Sequence, residues 1–179
     1  MAQSSSHPMS PQRRRLLEEV AGRVPVSVGG ECVRVAVDGV DGGFWLDTYY
    51  ASLRADLLDP LGAGGTRRYR PAAHYLRSDE LLDLPLREAA AGSVLIVDGL
   101  FMHRDELIGL WDLSVFLDVP FEVSVARMAG RDGRNPDPDH PSVARYVQGQ
   151  RLYFEACAPW ARADLVVDNT TLDEPVLMT

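Results

Sequence analysis

Val33-Arg34-Val35-Ala36-Val37-Asp38-Gly39-Val40-Asp41-Gly42-Gly43-Phe44-Trp45-Leu46 is the stretch on which the reading of this chain turns. Val33 to Val37 predicts a strand, with Gly29-Gly30 before it and a glycine-rich turn after Asp38-Gly39. A second run, Ser93-Val94-Leu95-Ile96-Val97-Asp98-Gly99, closes on the same Asp-Gly pair. Being apolar on successive residues, it predicts a central parallel strand buried on both faces. Asp112 to Asp118 holds a third strand through Val115, Phe116 and Leu117, and Asp164 to Val167 a last one.

Helices fall between these strands. Ser10 followed by Pro11 is a helix start, and Leu16, Leu17, Val20 and Val24 supply its apolar stripe. Thr48 can cap a helix running to Leu58, with Tyr50, Leu53, Leu57 and Leu61 at helical spacing, and Gly62 to Gly65 ends it. Thr66 to Leu86 predicts a hairpin or an irregular substrate flap. A short helix is expected over Arg104–Leu110 and a longer one from Pro120 to Arg131. The longest begins at Pro141, with Val143, Tyr146, Val147, Phe154 and Cys157 on one face. Between the last two, Asp132 to His140 is polar and proline-rich, the best candidate for a mobile lid. Strands alternating with helices imply a three-layer α/β fold with a parallel sheet and right-handed crossovers. The expected organisation is a disordered tail over residues 1–9 and one α/β domain over 10–179, with a lid around 132–141.

The 179 residues hold 26 Asp+Glu against 18 Lys+Arg, a net charge of -8, and are 46% hydrophobic. That length suits one compact domain. The acidic balance argues against nucleic acid or a membrane surface as partner. Val94 to Val97 is far too short to span a bilayer, and Met1 to Gln12 has no apolar signal core. Two cysteines, Cys32 and Cys157, suit a reducing cytosol, so a cytoplasmic location is expected. All 18 basic residues are arginine, which excludes any chemistry that needs a lysine ammonium.

In a parallel α/β sheet, ligands sit beyond the carboxyl ends of the strands, and Asp38, Asp98 and Asp118 all lie there. A lone strand-end Asp is ordinarily a turn or cap residue. A glycine turn after a buried strand can also cradle phosphate with its backbone N–H groups. The pattern Gly-x-x-x-x-Gly-Lys-Ser/Thr starts at Gly39 but then meets Phe44, Trp45 and Leu46 in place of its Gly, Lys and Ser/Thr. Read alone, this is an ordinary turn.

As an ordered set, however, several stretches resemble uridine kinase and its relatives among the P-loop nucleoside kinases. They are Val35 to Gly42, Gly43 to Asp47 running into Leu53 to Leu61, and Val97 to Leu107. Trp111 to Pro120, Arg131 to Phe154 and Val167 to Thr170 complete the set. The likeness spans most of residues 33–170. It implies a P-loop-type sheet short of one helix and one strand, because Gly42 runs straight into Gly43-Phe44-Trp45. The family carries a Lys, a helix and an Asp-bearing strand at that point. Either the chain lacks that unit, about 30 residues or more, or two stretches are joined across an omitted segment.

The resemblance implies ATP and Mg²⁺ as cofactors and uridine or cytidine as substrate. It puts Asp98 at the magnesium position, with Arg127, Arg131 and Arg134 as lid arginines approaching the phosphates. Gly39, Asp41, Gly42, Gly43 and Arg151 fall at ATP-binding positions, and Tyr69 and His74 match a base-contacting pair. That pair argues mildly against phosphoribulokinase-like or pantothenate-kinase-like relatives. Phosphoryl transfer needs positioned cations, Mg²⁺ and an acid that orients the attacking hydroxyl. With the lysine, the hydroxyl ligand and the Asp-bearing strand all missing, no measurable turnover is expected. The alternative is a non-catalytic protein that keeps nucleoside binding or only the fold. Losing a helix and a strand would also bare apolar sheet, so a poorly soluble monomer or a homo-oligomer covering that face is expected.

Overall fold

A computed structural model describes residues 9–39, 47–72 and 82–178, without the side chains of 47–49. The predicted tail (but for Met9), the Gly42–Gly43 junction and His74 lie outside the described residues. The strands are β1 (Val33–Asp38), β2 (Arg68–Tyr69), β3 (Arg87–Glu88), β4 (Val94–Gly99), β5 (Leu113–Asp118), β6 (Leu165–Asp168) and β7 (Val176–Met178). The helices are α1 (Pro11–Gly22), α2 (Asp47–Leu53), α3 (Phe121–Asp132), α4 (Pro141–Cys157) and α5 (Pro159–Arg162).

Five strands form one sheet in the order β4-β1-β5-β6-β7. The first four are parallel, and β7, which the sequence pattern did not reveal, runs antiparallel to β6. Period-two alternation sorts the side chains onto two faces. Val33 and Val35 join Leu113, Val115, Leu165 and Val167 on one face, covered by Leu16, Val20 and Val24. Ala36 faces the other way, into a cluster of Tyr50, Leu58, Phe101, Met102, Leu107, Tyr153 and Cys157. Helices therefore flank both faces, and the three layers expected from the sequence are present.

Local chemistry accounts for the helix ends. The Ser10 hydroxyl accepts the Arg13 amide at 3.1 Å, satisfying one orphan donor of α1, while Pro11 has no N–H to satisfy. Gly133, at φ +68°, closes α3 in the left-handed conformation, its amide reaching Ala129 O at 2.8 Å. The lid expected from 132 starts one residue into solid structure, since Asp132 is the last residue of α3. Beyond Gly133 the connection is built from side-chain turns. Asn135 Oδ1 accepts the Asp137 amide at 2.9 Å, and Asp137 Oδ1 the Asp139 amide at 3.0 Å. On α4, Val143, Val147, Gln150, Tyr153 and Cys157 are buried, whereas Tyr146 and Phe154 lie half-buried at the edge of that face.

Four expectations need correction. Val94–Gly99 is not central: among the described residues β4 is the last strand on its side, with Val94 48% and Ile96 66% exposed. Its unbroken apolar run has the composition of a doubly covered strand, but only Leu95 and Val97, on one face, pack against the core, and Val94 and Ile96 on the other stay exposed. The helix from Thr48 to Leu58 is α2 followed by a π-helical turn over Arg54–Leu58, closed by Asp59 N to Arg54 O at 2.8 Å. Over Arg104–Leu110 only a 3-10 turn forms, at Ile108–Leu110. The 66–86 segment pairs β2 with β3, Arg68 opposite Glu88 and Tyr69 opposite Arg87, so the hairpin partner lies just beyond the predicted end.

Candidate functional site

The parallel strands all point their carboxyl ends the same way, so Asp38-Gly39, Asp98-Gly99, Leu117 to Val119 and Asp168-Asn169 meet along one rim. Above them α3 begins at Phe121, directly after Pro120, whose fixed φ suits a helix start. The space between is a cleft of about 440 Å³ lined by Gly39, Asp98, Val119, Arg127, Met128, Arg131 and Asn169, among others. Arg127 and Arg131, one helical turn apart on α3, form its upper wall. Gly39 and Asp98 contribute from β1 and β4 below. A size of this order suits a small-molecule ligand.

Arg127 is the more buried of the two cations. Its Nη2 donates to the carbonyls of Asn169 at 2.9 Å and Thr170 at 2.8 Å, which ties α3 to the turn after β6. Among the described residues it pairs with no carboxylate, and burial alone pushes its guanidinium below the usual arginine range. A half-buried guanidinium without a counter-charge is a site for an incoming anion. Arg131 is more exposed and holds Asp132 with two hydrogen bonds, at 3.0 and 3.2 Å.

Negative charge collects at the same rim. Asp118 and Asp168 stand opposite each other across β5 and β6. Burial, and then the Asp168 charge, raise the Asp118 carboxyl above its ordinary range. The Asp168 carboxyl is held below its ordinary range, chiefly by hydrogen bonding to Thr170, whose amide donates at 2.8 Å.

Directly beneath Gly39 lies a buried polar cluster that the sequence reading did not assemble. Asp38, 1% exposed, accepts at one oxygen, Oδ2, from the Met102 amide at 3.1 Å, from His103 Nδ1 at 2.8 Å and from the Tyr153 hydroxyl. Tyr153 Oη in turn accepts the His103 amide at 3.0 Å. With Nδ1 donating to a carboxylate, the imidazole tautomer is fixed. The cluster ties the end of β1 to the loop after β4 and to α4. Trp111 Nε1 holds Met102 O at 2.8 Å and Arg162 Nη1 holds His103 O at 3.0 Å, so the loop is fixed from the other side too. Within it Phe101 is fully buried at φ +62°, a conformation that costs a non-glycine residue energy and persists only because its surroundings impose it. Gly99 packs close to the same loop: a Cβ there would stand 3.0 Å from Met102 Cε, the movable end of that side chain. The available signal was an acid ending a mostly apolar strand; no local pattern connects it to His103 or Tyr153.

The structure thus brings together Gly39, Asp98, Arg127 and Arg131. It does not add Arg134 or Arg151 to the cleft wall. Arg134 donates to the Tyr146 hydroxyl at 2.7 Å and lies over that ring, while Arg151 lies 5.6 Å from the Phe121 ring centroid. Tyr69 sits in β2, away from the residues lining the cleft, next to Arg70, whose amide donates to Asp56 O at 2.9 Å. Asp41, Gly42, Gly43 and His74 lie outside the described residues.

A mostly parallel sheet, flanked on both faces and carrying its cleft between strand ends and an arginine-bearing helix, is a P-loop-kinase-like α/β fold. Among solved structures, one described as a possible uridine kinase from Bacillus stearothermophilus superposes with a TM-score of 0.56 at 14% identity, over 86% of this chain and 96% of that one. Phosphoribulokinase from Rhodobacter spheroides is more distant, with a TM-score of 0.38 and 12% identity over 93% of this chain and 67% of that chain. No protein-family profile and no curated relative matches the sequence. Among the described residues no helix is long and apolar enough to cross a membrane.

Proposed function

We propose that this chain is a uridine/cytidine-kinase-type protein that binds the phosphates of a nucleotide in the cleft but does not transfer them at a measurable rate. The observation that carries the reading is the single cleft shared by Gly39, Asp98, Arg127 and Arg131. Arg127 would take phosphate oxygens with the N–H groups it does not give to Asn169 and Thr170. Asp98, exposed at the rim, is the carboxylate suited to a magnesium ion, which commonly takes only one or two protein carboxylates beside phosphate and water. The residues present therefore fit ATP and Mg²⁺ as bound ligands. In a nucleoside kinase they supply the transferable phosphoryl group and its charge neutralisation.

The transfer set is another matter. The chain has no lysine at all, and no Ser/Thr follows the glycine turn to hold the metal. Removing one preorganised electrostatic group typically costs about 10²–10³ in rate, and several are missing together. The discriminating experiment pairs thermal unfolding with a radiolabelled phosphate-transfer assay. A native-state ligand at ten times its Kd stabilises by about 1.4 kcal/mol, or roughly 3–6 °C for a chain of this size. Mg·ATP is expected to raise the midpoint by that order, with no label reaching uridine or cytidine above a no-enzyme control. Absence of any shift with ATP, ADP, UMP or uridine would remove the binding reading, and labelled UMP or CMP would remove the inactive one.

A further inference from the structure

We infer that β4 is the dimerisation edge of this protein: two copies pair antiparallel through Val94–Asp98 and merge their sheets about a twofold axis. Which groups face outward follows from the ladder to β1. Val33 N donates to Ser93 O at 2.9 Å and Gly39 N to Gly99 O at 3.2 Å, in a parallel register running unbroken from Val33↔Val94 to Asp38↔Gly99. Strand period two then turns the N–H and C=O of residues 93, 95, 97 and 99 toward β1, and those of Val94, Ile96 and Asp98 away from it. Among the described residues nothing pairs with that outer side.

Natural proteins blunt such edges with short strands, basic residues, prolines or bulges. At the opposite end of the sheet, β7 is only three residues long. β4 has none of these devices: six residues, no proline, no basic side chain, no bulge in its register. Its exposed face is also apolar, Val94 and Ile96 extending past the area that α1 covers. Val26 and Val28, 88% and 80% exposed, flank its beginning, with Ser27 packed close to Gly92.

A second copy is the occupant that fits this edge residue for residue. A closed pair of identical antiparallel strands has its axis perpendicular to the sheet, so each residue meets one on the same face. Centring the axis on Ile96 opposes Ile96 to Ile96 and Val94 to Asp98. Every outward-facing residue of β4 is then in a narrow pair, exchanging both of its N–H···O bonds. The same register suits the charge. The strand's one acidic side chain, Asp98, is displaced from its symmetry mate by four residues, about 14 Å, beyond the screening length of about 8 Å at physiological salt. A parallel, in-register arrangement would instead stack the two carboxylates. The inference rests on the outward N–H and C=O groups of β4 and does not need the nucleotide reading, although Asp98 belongs both to this edge and to the cleft.

Ile96→Pro and Ile96→Lys test it. The Ile96 amide faces away from β1, so proline there spares the native ladder and removes the bond at the twofold, while lysine opposes like charges across it. Wild-type protein should sediment at twice the 19.7 kDa chain mass, and both variants at once that mass with unchanged circular dichroism. In the dimer, hydrogen exchange at the amides of Val94, Ile96 and Asp98 should slow by tenfold or more relative to dilute protein. A wild type that stays monomeric at its highest soluble concentration overturns the inference. So does a dimer that survives both substitutions, or mass that climbs without stopping at two. If either variant fails to fold, wild-type mass and amide exchange alone still decide it.

Discussion

Replacing Tyr153 by Phe removes one oxygen from a place where two other groups depend on it. That hydroxyl donates to Asp38 and accepts the His103 amide at 3.0 Å, in a side chain with no exposed surface. A hydrogen bond to a charged group contributes about 1.5–3 kcal/mol, and a buried donor left without an acceptor costs about 1–3 kcal/mol. The two losses share one network and do not simply add, so a net destabilisation of about 3 kcal/mol is expected. For a chain of this length that is roughly 6–12 °C in midpoint. Urea and thermal unfolding followed by circular dichroism would measure it. Tyr146→Phe is the control: it deletes the same atom, but one that accepts from Arg134 and Arg145 on a half-exposed ring, and should shift stability by no more than about 0.5 kcal/mol. The pH dependence has a definite sign. Burial, then the Asp38 charge, raise the Tyr153 ionisation above its ordinary value. The wild-type advantage should therefore hold steady below about pH 10 and fall as pH rises beyond it. If Tyr153→Phe cost no more than Tyr146→Phe, the cluster beneath Gly39 would not be the fastener described above.

Asp118→Asn should raise the melting temperature at pH 7, because burial and Asp168 hold the native carboxyl above its unfolded range. Wild type regains that loss only as pH falls through the native value toward about 3.8, so the gap between the two proteins should close on acidification. Arg127→Ala should abolish the thermal shift with Mg·ATP and also cost some stability, since two carbonyls after β6 lose their donor; Arg151→Ala, off the cleft, should leave the shift intact. Gly65→Ala would set a Cβ 2.3 Å from Pro60 O, a backbone clash expected to cost about 1–3 kcal/mol, whereas Gly109→Ala meets nothing within 4 Å and should be silent in the same unfolding assay.

Where residues near in sequence settle a feature among themselves, the sequence sufficed. Ser10-Pro11 starts α1 and Val33 to Asp38 is a strand, because caps and β-branched alternation act over a few positions. The order of strands and helices follows from those elements, and with it the meeting of Gly39 and Asp98 at one rim. That Arg127 and Arg131 complete the cleft was legible only through the likeness to nucleoside kinases; on their own they are two cations one turn apart on a helix.

Partners far apart in the chain decided the rest. Asp38 reads as a turn residue until folding brings His103 and Tyr153 to it, 65 and 115 positions away. Nor does a single strand record how many neighbours it has. Val94 to Val97 carries the composition of a covered strand, and only the assembled sheet reveals that among the described residues nothing pairs with its outer side. Burial and pairing belong to surfaces in contact, and those surfaces exist once the chain has closed on itself.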